Sequence, residues 1–531
     1  MGFGVQGLAY TALLGASWLA ILCAAYMPNS LLRWSLALLL AACGYILLTF
    51  EHASGQFMTF DAFISMLDSA GSLGDAFDQN GPAFVSALWP TLAIALGVGL
   101  APGRALPLPR TLLYSLPATI FIALVGVLFV RGGDGGRGLP HSFVGGAYGT
   151  LAAYDEATRF RGARLDPGIA HTSAPAVRTI VLVIDESIAG EYLAINNSRG
   201  VAANLSDTPT GVTLSNFGIA ASISGCSAGA NQALRFGGTR ENYRKILAEF
   251  PSIWSYAKRA GLRTVYIDGQ RTGGAYQNNM DDAERADIDE FVQFDDVSMV
   301  ERDMAIAAEL AKLLADEDPK LVLVNKVGAH FPIHDKFPDE FLRHEPVLPR
   351  GDHTDIADTA SRTGFGGTPE EWRRYRNSYR NTLDWNVGEF FRRLYAEADL
   401  DQAVIIYTAD HGQVLHEDGS PGLTTHCSAE PLPEEGAVPL IVLQGRDLQG
   451  FDFARWAGLN RNRSSHYMIF PTLLRLMGFE HSGIEREYGA SLIEPSKDPM
   501  TFNRRFNARF GAEPQWRKVE PGRLPQPPLE D

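Results

Sequence analysis

Asp410 and His411 stand side by side at the end of a short apolar, β-branched run, Val404-Ile405-Ile406-Tyr407, in the stretch 403–412 that reads AVIIYTADHG. The run has the composition of a buried strand. A carboxylate and an imidazole are therefore delivered together to a strand's carboxyl end, where open α/β sheets bind their ligands. Carboxylate oxygen and imidazole nitrogen are donors that zinc prefers; the plainer reading is a polar turn after a core strand. A second run, TIVLVI at 179–184, ends in Asp185-Glu186-Ser187, and acids in such a place are costly unless partnered. Segment 221–238, ASISGCSAGANQALRFGG, surrounds Ser224, Cys226 and Ser227 with small residues and then turns helical. A serine at a helix N-terminus lies beside unpaired N–H groups that suit a phosphoryl oxyanion, or it simply caps the helix. Two further strand-like runs end in Asp268-Gly269-Gln270-Arg271 and in Lys326-Val327-Gly328-Ala329-His330-Phe331-Pro332, and His426 follows His411 at fifteen residues' distance.

The elements that must position these groups alternate. Apolar strands at 179–184, 263–267, 321–325, 404–407 and 438–443 are interspersed with helical patterns at 241–260, 297–315, 370–397 and 464–477. That order predicts an α/β domain with a largely parallel central sheet. Independent polar turns would have to explain repeatedly why its strands end in Asp, Glu, His or Arg. Trp372, Tyr375, Tyr379, Leu383, Val387, Phe390 and Leu394 fall at near-helical spacing and read as core rather than as ligands.

Ahead of this domain lie four apolar runs, 3–26, 31–50, 83–100 and 111–130, each near the roughly 20 residues that cross a bilayer as a helix. The first lacks a basic leading region, against a cleaved signal peptide. Arg33 lies between the first two runs and Arg104 and Arg110 between the last two, whereas loop 51–81 holds five acids and neither Lys nor Arg. Basic loops face the cytoplasm, which puts the acidic loop, the N-terminus and everything after Val130 outside. Phe60, Phe63, Ile64 and Leu67 predict an amphipathic helix in that loop. The chain thus divides into a transmembrane domain (1–130), a linker with some local helix (131–175), the α/β domain (176–494) and a polar, Pro/Arg-rich, loosely ordered tail (495–531). The 531 residues carry a net charge of −15 with 46% hydrophobic residues, and residues 1–140 contain five arginines against six acids, so the acidity sits in the remainder. With no basic stripe, a nucleic-acid partner is not expected. Four cysteines are too few for a disulfide scaffold. Cys23 and Cys43 lie in apolar runs, and a bond between Cys226 and Cys427 is compatible with an oxidising compartment.

In order and spacing, IDES at 184–187, the small-residue segment around Ser227, YRNTLDW at 379–385, GAHFP at 328–332, TADHG at 408–412 and the later His426 resemble the alkaline phosphatase superfamily. Within it the chain looks most like the membrane-bound, sulfatase-like phosphoethanolamine transferases of the bacterial envelope. The resemblance implies an α-helical transmembrane domain followed by an alkaline-phosphatase-like α/β domain. It also implies a multi-pass inner-membrane enzyme with its catalytic domain in the periplasm. Glu186, Asp410, His411 and the nucleophile would ligate zinc; Ser227 best matches the nucleophile, with Ser224 and Cys226 as rivals; His330 and His426, together with Arg271, would serve the substrate or a second metal. The implied reaction moves phosphoethanolamine from a phosphatidylethanolamine-like lipid to lipid A or another envelope glycan through a phospho-enzyme. A hydrolase of the same superfamily and a non-catalytic, membrane-tethered binding protein are the alternatives. The sequence departs from the family pattern at Asp185, where glycine is usual, and in showing four apolar runs rather than five.

Overall fold

The computed structural model describes residues 4–54, 57–68, 73–103, 108–158, 164–331, 333–350, 367–419, 426–427, 430–448, 450–504, 506 and 509–529. Arg104, Pro332 and most of the Pro/Gly/Asp/Thr-rich loop expected at 345–369 lie outside the described residues. The chain forms two compact units, residues 1–159 with 507–514, and residues 160–506 with 515–531.

The first unit is helical: α1 (Val5–Ala25), α2 (Ser30–Ser54), α3 (Phe60–Asp68), α4 (Leu73–Gly99), α5 (Arg110–Val130) and α6 (His141–Thr158). Four of these, α1, α2, α4 and α5, are long and apolar enough to cross a membrane. Loop 51–81 is shorter than the sequence suggests, because α2 continues to Ser54 and α4 begins at Leu73. The amphipathic α3 is present; Phe60, Phe63 and Ile64 are buried in the unit's core while Leu67 is exposed. The stretch 131–175, read as a linker with some local helix, contains α6. Phe143, Val144, Ala147, Tyr148 and Leu151 of α6 enter the same core, and their helical spacing was hidden by the surrounding glycines. Arg33, read as a loop charge, sits in the first turn of α2 and donates to the carbonyls of Gly99 (3.0 Å) and Met27 (2.7 Å), satisfying acceptors at helix ends.

The second unit is built on a seven-stranded sheet: β1 (Thr179–Asp185), β2 (Thr213–Ala221), β3 (Arg263–Asp268), β4 (Glu290–Gln293), β5 (Lys320–Asn325), β6 (Ala403–Ala409) and β7 (Ala437–Gln444). Their order is β2-β7-β6-β1-β5-β3-β4. β6, β1, β5, β3 and β4 run parallel, and β7 is antiparallel to both its neighbours. β1, β5 and β6 are buried along their whole length, as expected of strands covered on both faces. Helix 241–260 is in fact two, Tyr243–Glu249 and Ile253–Arg259, because Pro251 disfavours helical backbone before it and supplies no N–H. The 370–397 pattern holds as one continuous rod, Pro369–Leu383, a π-turn at Asp384–Glu389 and Phe390–Glu397. The tail is ordered around a two-stranded sheet, β8 (Thr501–Asn503) with β9 (Trp516–Lys518). Met500, Phe502, Val519 and Leu524 form a small core with Ile219, Ala221 and Ala437. These apolar residues are too widely spaced to register in the segment's average composition.

Candidate active site

The sheet register does most of the assembly. In the parallel β1–β6 pair Asp185 lies opposite Ala409, so the next residues, Glu186 and Asp410, leave the sheet together, and the Asp410 amide donates to the Asp185 carbonyl at 2.9 Å. On the other side Ile184 pairs with Asn325 of β5, which brings the Lys326–Phe331 turn alongside, its Ala329 amide donating to the Glu186 carbonyl at 2.9 Å. Gly328 has φ +54, and a Cβ there would lie 2.3 Å from Asp185 Oδ1; only glycine permits that approach. At Gly412 a Cβ would lie 2.1 Å from the Glu434 carbonyl oxygen, which accounts for the glycine after Asp410-His411. The segment carrying Ser227 follows β2 in the chain: Cys226 caps α7 (Ser227–Phe236), and Ser227 is the helix's first residue rather than its cap.

Five side chains converge at the carboxyl ends of β1 and β6. Ser227 Oγ lies 3.2 Å from Glu186 Oε1, 3.3 Å from His411 Nε2 and 3.4 Å from His426 Nε2. His411 Nε2 is 3.2 Å from Glu186 Oε1 and 3.7 Å from Asp410 Oδ2. Ligand atoms of Glu186, His411 and His426 all lie within 4.8 Å of one another. Glu186, Asp410 and His411 are buried, whereas Ser227 and His426 are half-buried, so the cluster opens to solvent on the serine side. His411 Nδ1 faces the Gly412 carbonyl at 2.7 Å and donates to it, which leaves Nε2 for the cluster.

The electrostatics are those of a crowded, buried, charged cluster. Burial, then the charge of Glu186, pushes the Asp410 carboxyl well above its usual range. Burial also works to raise Glu186, but the hydrogen bond and charge of His411, with the charges of His330 and His426, hold it well below. Burial favours neutral His411, yet Asp410 and Glu186 raise it to about 10. Desolvation and then the charge of His411 press His426 down to about 3. Asp410 Oδ2 is buried with no hydrogen-bond partner among the described residues. Two adjacent buried carboxylates, one with an orphaned oxygen, beside two imidazole nitrogens, match the O/N donor set of a zinc-like divalent ion.

A second layer holds these groups. Ser187 has φ +60; its hydroxyl donates to Glu186 Oε1 (2.9 Å) and its amide to Asp410 Oδ1 (3.0 Å). Tyr379 locks that turn by donating to the Ser187 carbonyl (2.7 Å) and accepting from the Ala189 amide (2.8 Å). Asp185 pairs with the fully buried Lys326 at 2.6 Å and accepts from Tyr407 at 3.0 Å; burial raises its carboxyl to about 6 against the pull of Lys326. Gln270, at the end of β3, donates to Glu186 Oε2 (3.0 Å) and to the Lys326 carbonyl (2.9 Å).

Of the residues expected from sequence, Glu186, Ser227, Asp410, His411 and His426 come together. His330 stands farther out, its ring 6.2 Å from that of His426 and its Nδ1 donating to the Phe331 carbonyl at 2.6 Å. Arg271 connects through a relay: it donates to Gln277, which donates to Gln270, which donates to Glu186. Gln270, Lys326 and Tyr379 were missed as participants; neutral or singly charged side chains in loops and aromatic stripes carry no signal of their own. Cys226 and Cys427 are joined in a disulfide, which removes Cys226 as a rival nucleophile. Ser224 Oγ accepts from the Cys226 amide at 3.1 Å.

Compared with known proteins, residues 178–479 match the Sulfatase family model. The integral membrane lipooligosaccharide phosphoethanolamine transferase A (EptA) from Neisseria meningitidis has a similar fold, with a TM-score of 0.59 at 17% identity over 83% of this chain and 84% of that one. Lower on the scale, the C-terminal periplasmic domain of EcEptC from Escherichia coli gives 0.48 at 19% identity over 63% of this chain and 90% of its own. A search among curated proteins gave no match. With the model spanning more than half its length, the chain belongs to the sulfatase family of the alkaline phosphatase superfamily.

Proposed function

We propose that this protein is a metal-dependent transferase of the bacterial inner membrane, working on the periplasmic side, that moves phosphoethanolamine from a phosphatidylethanolamine-like lipid to lipid A or another envelope glycan. The observation that carries the reading is the meeting of Ser227 Oγ with Glu186, His411 and His426 within 3.2–3.4 Å at an opening cluster suited to a metal. The four apolar helices fit a lipid donor, since anchoring confines enzyme and substrate to one surface. Ser227 Oγ gives up its proton as it attacks phosphorus, and the bond to the diacylglycerol oxygen breaks as that oxygen takes a proton; the acceptor hydroxyl then loses its proton, takes the phosphoethanolamine group from the serine, and the Ser227 hydroxyl is restored. Glu186, Asp410 and His411 would hold zinc, which when bound supplies Lewis-acid stabilisation and a lower hydroxyl pKa. His426 and His330, on the open side, would bind phosphoryl oxygens or a second ion.

The Sulfatase match favours one competing reading, a phosphodiesterase in which water replaces the acceptor. Sulfatases of the formylglycine type need a cysteine for conversion, and Cys226 is already bonded. Purified protein incubated with labelled phosphatidylethanolamine separates the cases. Transfer predicts diacylglycerol and a phospho-Ser227 adduct, visible by mass spectrometry, with label passing to an added lipid A acceptor. Hydrolysis predicts free phosphoethanolamine without an acceptor. Ser227→Ala should lower diacylglycerol release by at least ~1,000-fold, because the covalent route is lost. Unchanged release by that variant sinks the mechanism.

A further inference from the structure

Ser227 and His426, the half-buried members of the cluster, are each next in chain to a bonded cysteine. Cys226 precedes Ser227, Cys427 follows His426, and the bridge spans 201 residues of sequence. Ser227 has other means of support. It opens α7, where the Ala230 amide donates to the Cys226 carbonyl (3.1 Å) and Asn231 donates to the Ser227 carbonyl (3.2 Å).

His426 is held differently. It lies in neither helix nor strand, and its described side-chain contacts are with the cluster: Ser227 Oγ, the His411 ring at 4.3 Å and the His330 ring at 6.2 Å. What ties its backbone down among the described residues is the disulfide together with the Cys427 amide, which donates to the Gly225 carbonyl at 3.1 Å. Cys427 takes φ +66, a left-handed conformation that a side chain other than glycine adopts only when its surroundings impose it. An imidazole offered from irregular backbone must otherwise surrender its conformational freedom each time it engages. A cross-link one residue away restricts that freedom in advance, because it ties the residue after His426 to the residue before Ser227.

We infer that the Cys226–Cys427 disulfide is a positioning device that seats His426 against Ser227 and the metal-binding carboxylates. The inference rests on the assignment of His426 to the site made above. With the bond open, His426 leaves the cluster while Glu186, Asp410 and His411 stay on the sheet.

The test uses full-length protein in detergent in four forms: wild type, Cys226→Ala/Cys427→Ala, His426→Ala, and all three substitutions together. Zinc affinity is read by competition with a chelator. Loss of outer support for a ligand weakens metal binding roughly 10–100-fold, and the cysteine variant and His426→Ala should fall by similar factors in that range. The combined variant should fall no further, because residues acting as a unit are non-additive. A purely structural disulfide would instead add its loss to that of His426→Ala. Additive losses, or wild-type zinc affinity in the cysteine variant, overturn the inference. Unchanged affinity in His426→Ala would mean that His426 serves phosphoryl oxygens rather than an ion and overturns the inference, but leaves the Ser227 transfer assay standing. If the cysteine variant does not fold, folded wild type and His426→Ala are opened with a water-soluble phosphine and compared in the same way. That step yields two thiols and the phosphine oxide, water supplying the oxygen and both thiol hydrogens; iodoacetamide then caps the thiols with release of iodide.

Discussion

Gln270 illustrates how much of the site hangs on residues that carry no charge. One amide hydrogen goes to Glu186 Oε2 and the other to the Lys326 carbonyl, so a single side chain sets the rotation of the carboxylate and the position of the next strand's turn. Replacing it with leucine keeps the volume and removes both bonds. Zinc affinity of Gln270→Leu, measured by chelator competition, should fall roughly 10-fold or more, as for outer-shell partners of ligands generally. Its unfolding free energy should drop by about 1–3 kcal/mol for the unpaired Lys326 carbonyl. Glu186, Asp410 and His411 were legible in sequence because ionisable groups at the ends of apolar strands are expensive and so demand a purpose. A glutamine in the same place costs little in a solvated loop, and only its partners reveal what it does.

Among the elements, β6 is flanked by a device of the opposite kind. His466, in the short 3₁₀ turn before helix Ile469–Leu476, lies with Nε2 3.0 Å from Thr408 Oγ1. Burial pushes its pKa down from 6.5 to about 3, so the folded protein keeps it neutral while the unfolded chain takes a proton below about pH 6.5. A depressed folded value means that stability is intact above the unfolded pKa and is lost as pH falls from 6.5 towards 3, by about 1.4 kcal/mol per unit. Denaturant unfolding from pH 7 to pH 5 should show wild type losing stability relative to His466→Asn as the pH falls, the gap between the two widening below about pH 6.5; a gap that does not change with pH would rule out this role for His466. The strands themselves were plain from β-branched runs, whereas the break at Pro251 and the π-turn inside 369–397 show where local pattern misjudges an element. A proline overrides a good helical face, and a π-turn preserves one.

For the molecule as a whole, the C-terminal segment is the clearest case of structure that composition conceals. Phe502 is fully buried, and the Asn503 amide donates to the Ile223 carbonyl at 2.8 Å, three residues before Cys226. The tail therefore backs the loop that leads into Ser227. Phe502→Ala should cost about 3–5 kcal/mol, the usual penalty for emptying an aromatic site, measured as a fall in denaturation midpoint, and should lower transfer activity through Ser227 even where the protein stays folded. Normal stability in that variant would show that the tail only rests on the surface.

The sequence by itself determined the membrane helices, the parallel α/β sheet and the residue types at the strand ends, because apolar periodicity and the cost of buried charge are local properties. Only the tertiary structure decided that Glu186 and Asp410 emerge side by side, that Ser227 meets His411 and His426, and that Cys226 and Cys427 bond. Those facts follow from strand register and chain return over some two hundred residues, and long-range pairing is set by the packing of the whole core rather than by any window of sequence.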